Sequence, residues 1–242
     1  MKLVFGLLAL FFLPGSISAC WDGIQLIIND HDLLKFFLIG IAVGELIYFL
    51  FLRRWNYFLT FEHELTHAIM SLLFFRKIEK FIATRNDGGV VYHSGGFGGE
   101  FGNTMITLAP YYFITFTFLA VLFMPLVPQK FVSYYICFTG ATWIFHHLST
   151  VRELRNNWSS RTFAEAGSGA MRTTDIASSS FLFSFVFILT MTFFFNGLIF
   201  WFLKYSYSGI IPFLKFILSD SLSVFNIIIT KLTGLIGSIV PS

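Results

Sequence analysis

Two histidines and a glutamate stand at a spacing that can do chemistry. Phe61-Glu62-His63-Glu64-Leu65-Thr66-His67-Ala68 holds an H-E-x-x-H pentad inside an apolar run over residues 55–75. On an α-helix His63 and His67 lie one turn apart on one face, so two imidazoles can share one Zn2+. Glu64, three residues before His67, flanks that face. There its carboxylate can take a proton from a zinc-bound water whose pKa the metal has lowered. A chance helix with solvated polar groups would show the same letters in a soluble protein. Inside an apolar segment it is costly, because each ionisable side chain at bilayer depth costs a few kcal/mol and is functional by default. Here Glu62, His63, Glu64 and His67 fall together.

The elements that must position this group follow from composition. The 242 residues are 56% hydrophobic, 20% aromatic and only 12% charged, with a mean hydropathy of +0.75. That leaves too little polar surface to cover a soluble globule. The expected fold is an all-α polytopic membrane protein of about five to six transmembrane helices, with a small β-hairpin or re-entrant loop after the H-E-x-x-H helix. The lipid bilayer is thus the first partner. The net charge of +3 is spread through short loops, with no basic patch interleaved with aromatics, which excludes a nucleic-acid footprint. Cys20 and Cys137 suggest neither a disulfide framework nor a cysteine zinc site.

Residues 1–20 carry one Lys, an apolar core over 3–13 and then Pro14-Gly15-Ser16. They read as a secretory signal peptide, since about 11 apolar residues cannot cross about 30 Å of hydrocarbon. The ending Ile17-Ser18-Ala19-Cys20 also resembles a lipobox, whose cysteine is lipidated. Residues 21–203 form the membrane core. Its first span, 33–52, closes on Arg53-Arg54, which the positive-inside rule places in the cytoplasm. A helix entering from that side near Trp55 carries His63 and His67 roughly 12 to 18 Å in, at 1.5 Å per residue. Glu45, near the centre of the first span, is either satisfied against a neighbouring helix or lines the zinc cavity. Asp87-Gly88-Gly89 between strand-like residues signals a hairpin, with an ordinary loop as the alternative. A hairpin beside the metal could hold a peptide substrate by strand addition.

Residues 104–127 and 131–150 are two further apolar stretches, and the second ends in Phe145-His146-His147. His146 reads three ways: a ligand, a group bonded behind a ligand, or a polar residue at the interface. The stretch 151–172 is the most polar, and Thr173-Thr174-Asp175-Ile176 then leads into an apolar run over 181–203. Asp175 is a sound N-cap, or it completes the zinc triad, because a catalytic zinc needs three protein ligands and an open fourth position. If residues 55–75, 104–127 and 131–150 all crossed fully, the arginine-rich stretch would sit outside, against the positive-inside rule. One of these stretches is therefore expected to be re-entrant or broken. Residues 204–242 form a tail, an amphipathic interfacial helix or a loosely packed last helix.

The set His63-Glu64-Leu65-Thr66-His67-Ala68, Gly88-Gly89-Val90, Asn103 with Leu108-Ala109-Pro110-Tyr111, Phe145-His146 with Thr150, and Thr174-Asp175-Ile176 resembles the site-2-protease-like intramembrane zinc metallopeptidases, in particular a compact bacterial branch. The resemblance covers about half to two-thirds of the chain and implies an integral protein of a bacterial inner (cytoplasmic) membrane. It assigns His63, His67 and Asp175 as Zn2+ ligands and Glu64 as the general base. Glu45, Asn103 and His146 become candidates for lining the substrate path or supporting the ligands. The implied substrate is a membrane-protein or peptide segment within or beside the bilayer. One departure is the aspartate's context, Thr-Asp-Ile rather than the Leu-Asp-Gly usual in the site-2 proteases proper. The alternative of a different class is a non-catalytic membrane metal-binding scaffold or transporter component, which would have no need of a carboxylate at Glu64.

Overall fold

The structure, a computed structural model, describes residues 2–85, 88–164 and 181–239. Among them are α1 (Lys2–Ile28), α2 (His31–Leu50), α3 (Asn56–Leu73), β1 (Lys77–Ala83), β2 (Gly89–Ser94), α4 (Gly99–Tyr112), α5 (Thr115–Phe123), α6 (Val132–Ala164), α7 (Phe181–Tyr205) and α8 (Ile210–Ile239). Three helical runs are long and apolar enough to cross a membrane: Val4–Ile28, His31–Arg54 and Leu182–Thr233. A fourth counts if α4 and α5, which bend by 89° at their junction, form one span. The chain is a helical integral membrane protein with one small sheet, and these runs supply three or four of the five to six spans expected. The site residues of α3 dilute its own hydropathy, which keeps it out of that set.

Two helix bundles frame the site. In one, α1 packs along α7 and α8; in the other, α2 packs along α6. Small residues let the backbones close, as is usual where lipid supplies no hydrophobic drive between helices. A Cβ at Gly40 of α2 would fall 2.0 Å from the Cys137 carbonyl oxygen of α6. At Gly15 of α1 it would fall 2.2 Å from the Ile217 carbonyl oxygen of α8. α1 runs unbroken through Pro14-Gly15-Ser16, past the end of the short apolar core on which residues 1–20 read as a signal peptide. Ser16 is fully buried there, and Trp201 of α7 donates its indole N–H to the Ala19 carbonyl. Cys20, the expected end of a leader, thus lies inside a helix long enough to span. In the tail, Phe213, Ile217 and Ser221 bury the first half of α8, while residues 222–233 are almost wholly exposed.

The strands pair antiparallel, with Ala83 opposite Gly89, Phe81 opposite Val91 and Ile78 opposite His93, and an irregularity between Ile78 and Lys80. The hairpin packs on α3, where Phe81 meets Phe61 edge to face. The polar stretch from Val151 reads as loop by composition, yet α6 continues helical through it to Ala164. Arg152 reaches from α6 to donate to the Arg53 carbonyl and to Asn56 Oδ1, both at 2.8 Å. The arginines that close α2 and those that follow the apolar part of α6 therefore sit at the same end of the molecule. Three full crossings between them would have put them at opposite ends. The pair α4 and α5, bent by 89° at their junction, has the form of a broken span or a re-entrant loop, which is the kind of interruption the charge rule calls for.

Candidate metal centre

Helix α3 splits its polar residues between two faces. On one, His63 and His67 bring their Nε2 atoms within 3.2 Å of each other. Bonds of about 2.0 to 2.1 Å from these atoms to one zinc ion would meet at roughly 100°, close to tetrahedral. His67 Nδ1 lies 2.8 Å from the Ile106 carbonyl oxygen of α4. A carbonyl can only accept, so Nδ1 carries a proton, which leaves Nε2, the nitrogen facing His63, as the atom able to offer a lone pair to a metal. Imidazoles suit zinc, and both are half-buried, so the pair fits the metal that its spacing implies.

Glu64 is buried at 5% exposure, with its carboxylate against the hairpin. A Cβ on Gly89 of β2 would fall 2.4 Å from Glu64 Cγ and 2.7 Å from Oε1. Glycine at this strand position is what leaves room for the glutamate. Tyr111 of α4 sits edge-on to His63 at 6.2 Å between ring centres. His93 of β2 approaches from the hairpin side, 3.3 Å from Arg76 Nη1. Burial holds the His93 imidazole below the ordinary histidine value, and the neighbouring Arg76 and His67 push the same way.

The second face of α3 is structural. Thr66 is fully buried, donates to the Glu62 carbonyl at 2.9 Å and lies 2.6 Å from the Thr115 hydroxyl, just past the α4–α5 break. Glu62, at 5% exposure, accepts from His146 Nδ1 at 3.2 Å. His146 Nε2 lies 3.3 Å from the Thr150 hydroxyl. Both nitrogens of His146 are thus committed away from the zinc face, and the residue ties α6 to the helix that carries the motif. His147 points instead to α7, where it and Trp143 share Asn196 Oδ1 at 3.2 and 2.7 Å.

The structure brings His63 and His67 together, sets Glu64 against Gly89 of the hairpin, and joins His146 to Glu62. It does not bring in Glu45, which is exposed on α2, and Asn103 is exposed on α4, one turn before Ile106. Among the described residues no third His, Cys, Asp or Glu joins the pair as a metal-holding group. Asp175 lies outside the described residues. Three contributors escape sequence reasoning: the Glu62–His146 pair, Gly89 as the space for Glu64, and the Ile106 carbonyl. Only the last left a local signal, a proline four residues on, at Pro110.

Comparison with known proteins gives one match. A family model described as Peptidase M50B-like matches residues 36–165, more than half of the chain. No curated protein and no solved structure matches.

Proposed function

The chain belongs to the peptidase M50B-like family, the site-2-protease group of membrane-embedded metallopeptidases, and from that premise we propose that it is a zinc-dependent endopeptidase cutting peptide bonds within or beside the bilayer. The observation that carries the reading is the facing Nε2 pair of His63 and His67, with Glu64, the next residue after His63, buried against Gly89 of the hairpin. Asp175 is the third ligand in this reading, on the strength of the family resemblance. Zinc held there would lower the pKa of a water and polarise the scissile carbonyl. Glu64 takes the proton of the attacking water and returns it to the leaving amine. Gly89 of β2 leaves the space in which that carboxylate sits. The Thr66–Thr115 and Glu62–His146 contacts fix the rotation of α3, so the three side chains stay on one side.

The substrate is a membrane-protein or peptide segment, presented extended, because a helix hides its carbonyls in its own hydrogen bonds. The hairpin supports this: among the described residues β1 and β2 pair only with each other, so each offers an edge for strand addition. Asn103, exposed on α4, lines the approach. The resemblance to the compact bacterial branch assigns the protein to a bacterial inner membrane.

The test is cleavage of a model transmembrane peptide with a helix-breaking centre, by purified protein reconstituted in lipid. Glu64→Gln should bind zinc as the parent does and cut nothing. Cleavage undiminished in that variant would overturn the mechanism, and bound zinc with no cleavage by either protein would favour the scaffold reading.

A further inference from the structure

We propose that Pro110 is a positioning residue of the metal site: by offering no N–H to the Ile106 carbonyl, it dedicates that oxygen to His67 and so decides which imidazole nitrogen faces His63. In an uninterrupted helix the carbonyl of residue 106 accepts from the N–H of residue 110. Residue 110 is a proline, inside the regular helix α4. It has no N–H, and its ring crowds the carbonyl four residues back. Ile106 is buried at 3% exposure, and Pro110 is buried as well. Water cannot make good the loss, so a donor must come from the protein. The donor is His67 Nδ1, at 2.8 Å.

Because the acceptor is a carbonyl, the proton stays on Nδ1 and the lone pair on Nε2, the atom 3.2 Å from its counterpart on His63. The opposite tautomer would turn an N–H toward the metal position. The same stretch of α4 takes other side-chain donors too: the Tyr112 hydroxyl bonds the Met105 carbonyl at 2.8 Å, and the Thr150 hydroxyl lies 3.5 Å from the Pro110 carbonyl oxygen. Proline thus converts a lost backbone bond into a fixed orientation of a ligand.

This inference rests on the metal reading above, and its test separates the two. In metal-free protein, 15N chemical shifts of the His67 ring should show the Nδ1–H tautomer. In Pro110→Ala, whose restored N–H competes for the Ile106 oxygen, they should move toward a mixture. Zinc affinity by chelator competition should fall tenfold or more, the range seen when a ligand's supporting partner is removed. The unfolding temperature of the metal-free variant should not fall, because alanine closes the helix. Lactic acid at position 110, which lacks both the N–H and the ring, should restore the affinity. An unchanged tautomer, affinity within twofold of the parent, or loss of stability alongside loss of affinity would each overturn the proposal. Parent protein that binds no zinc would sink the functional reading, while the metal-free tautomer would still decide this one.

Discussion

Substituting Gly89 by alanine isolates the role of Glu64 more cleanly than any change at the glutamate itself. The added Cβ would sit 2.4 Å from Glu64 Cγ, 2.7 Å from Oε1 and 2.8 Å from Cδ, where ordinary contact begins at 3.4 Å. The carboxylate must therefore retreat by about an ångström, since the strand that carries residue 89 is paired at Ala83 and cannot easily yield. Gly89 is not among the glycines with positive φ, so the change tests space and not backbone strain. A displacement of about 1 Å in a catalytic group costs on the order of 100-fold in rate, or about 2.7 kcal/mol at the barrier. Single-turnover cleavage of the model peptide reads this directly, with zinc content measured on the same preparation. Zinc should be retained, because Gly89 contacts neither histidine among its nearest neighbours. Glu64→Asp, one methylene shorter, should be less sensitive to the alanine than the parent, giving non-additive losses. A Gly89→Ala protein with full zinc and a rate within threefold of the parent would refute the reasoning.

Two further outcomes follow from the second face of α3 and from the arginine contacts. His146→Ala strands the buried Glu62 carboxylate and should cost roughly 3–5 kcal/mol in detergent unfolding, whereas replacing both residues by leucine should recover most of it; equal losses in the single and double variants would contradict the pairing. Cysteines placed at Arg53 and Arg152 in a cysteine-free background should label from the same side of the membrane, and labelling from opposite sides would undo the topology built on the Arg152 contact.

The facing histidine pair was legible because its signal is local: a spacing of four on a helix that begins, as expected, just after Trp55. The hairpin was legible from Gly88-Gly89 between strand-like residues, and its pairing is now seen. Charge parity demanded one broken stretch but could not place it. The break falls at Phe113 and Ile114, just before Thr115 joins Thr66, a contact 49 residues apart that no local pattern announces. Glu45 shows the converse limit: a carboxylate in an apolar span suggests a lining group, yet α2 turns its Gly40 and Gly44 face to α6 and leaves Glu45 exposed. Residues 1–20 read as a signal peptide because the apolar core over 3–13 is short, yet α1 runs on through Pro14-Gly15-Ser16 to Ile28, with Gly15 packed closely on α8. His146 could be weighed only as three alternatives, since its partner Glu62 is 84 residues away.

The central claim is that His63 and His67 hold one zinc ion through their Nε2 atoms. Zinc K-edge absorption on the purified Glu64→Gln protein tests it most directly. The account predicts one zinc per chain, with two imidazole nitrogens among its ligands at about 2.0 to 2.1 Å and both the ion and that signature lost in His63→Ala. A protein that carries no zinc, or whose zinc keeps its imidazole ligands in the His63→Ala variant, would contradict it.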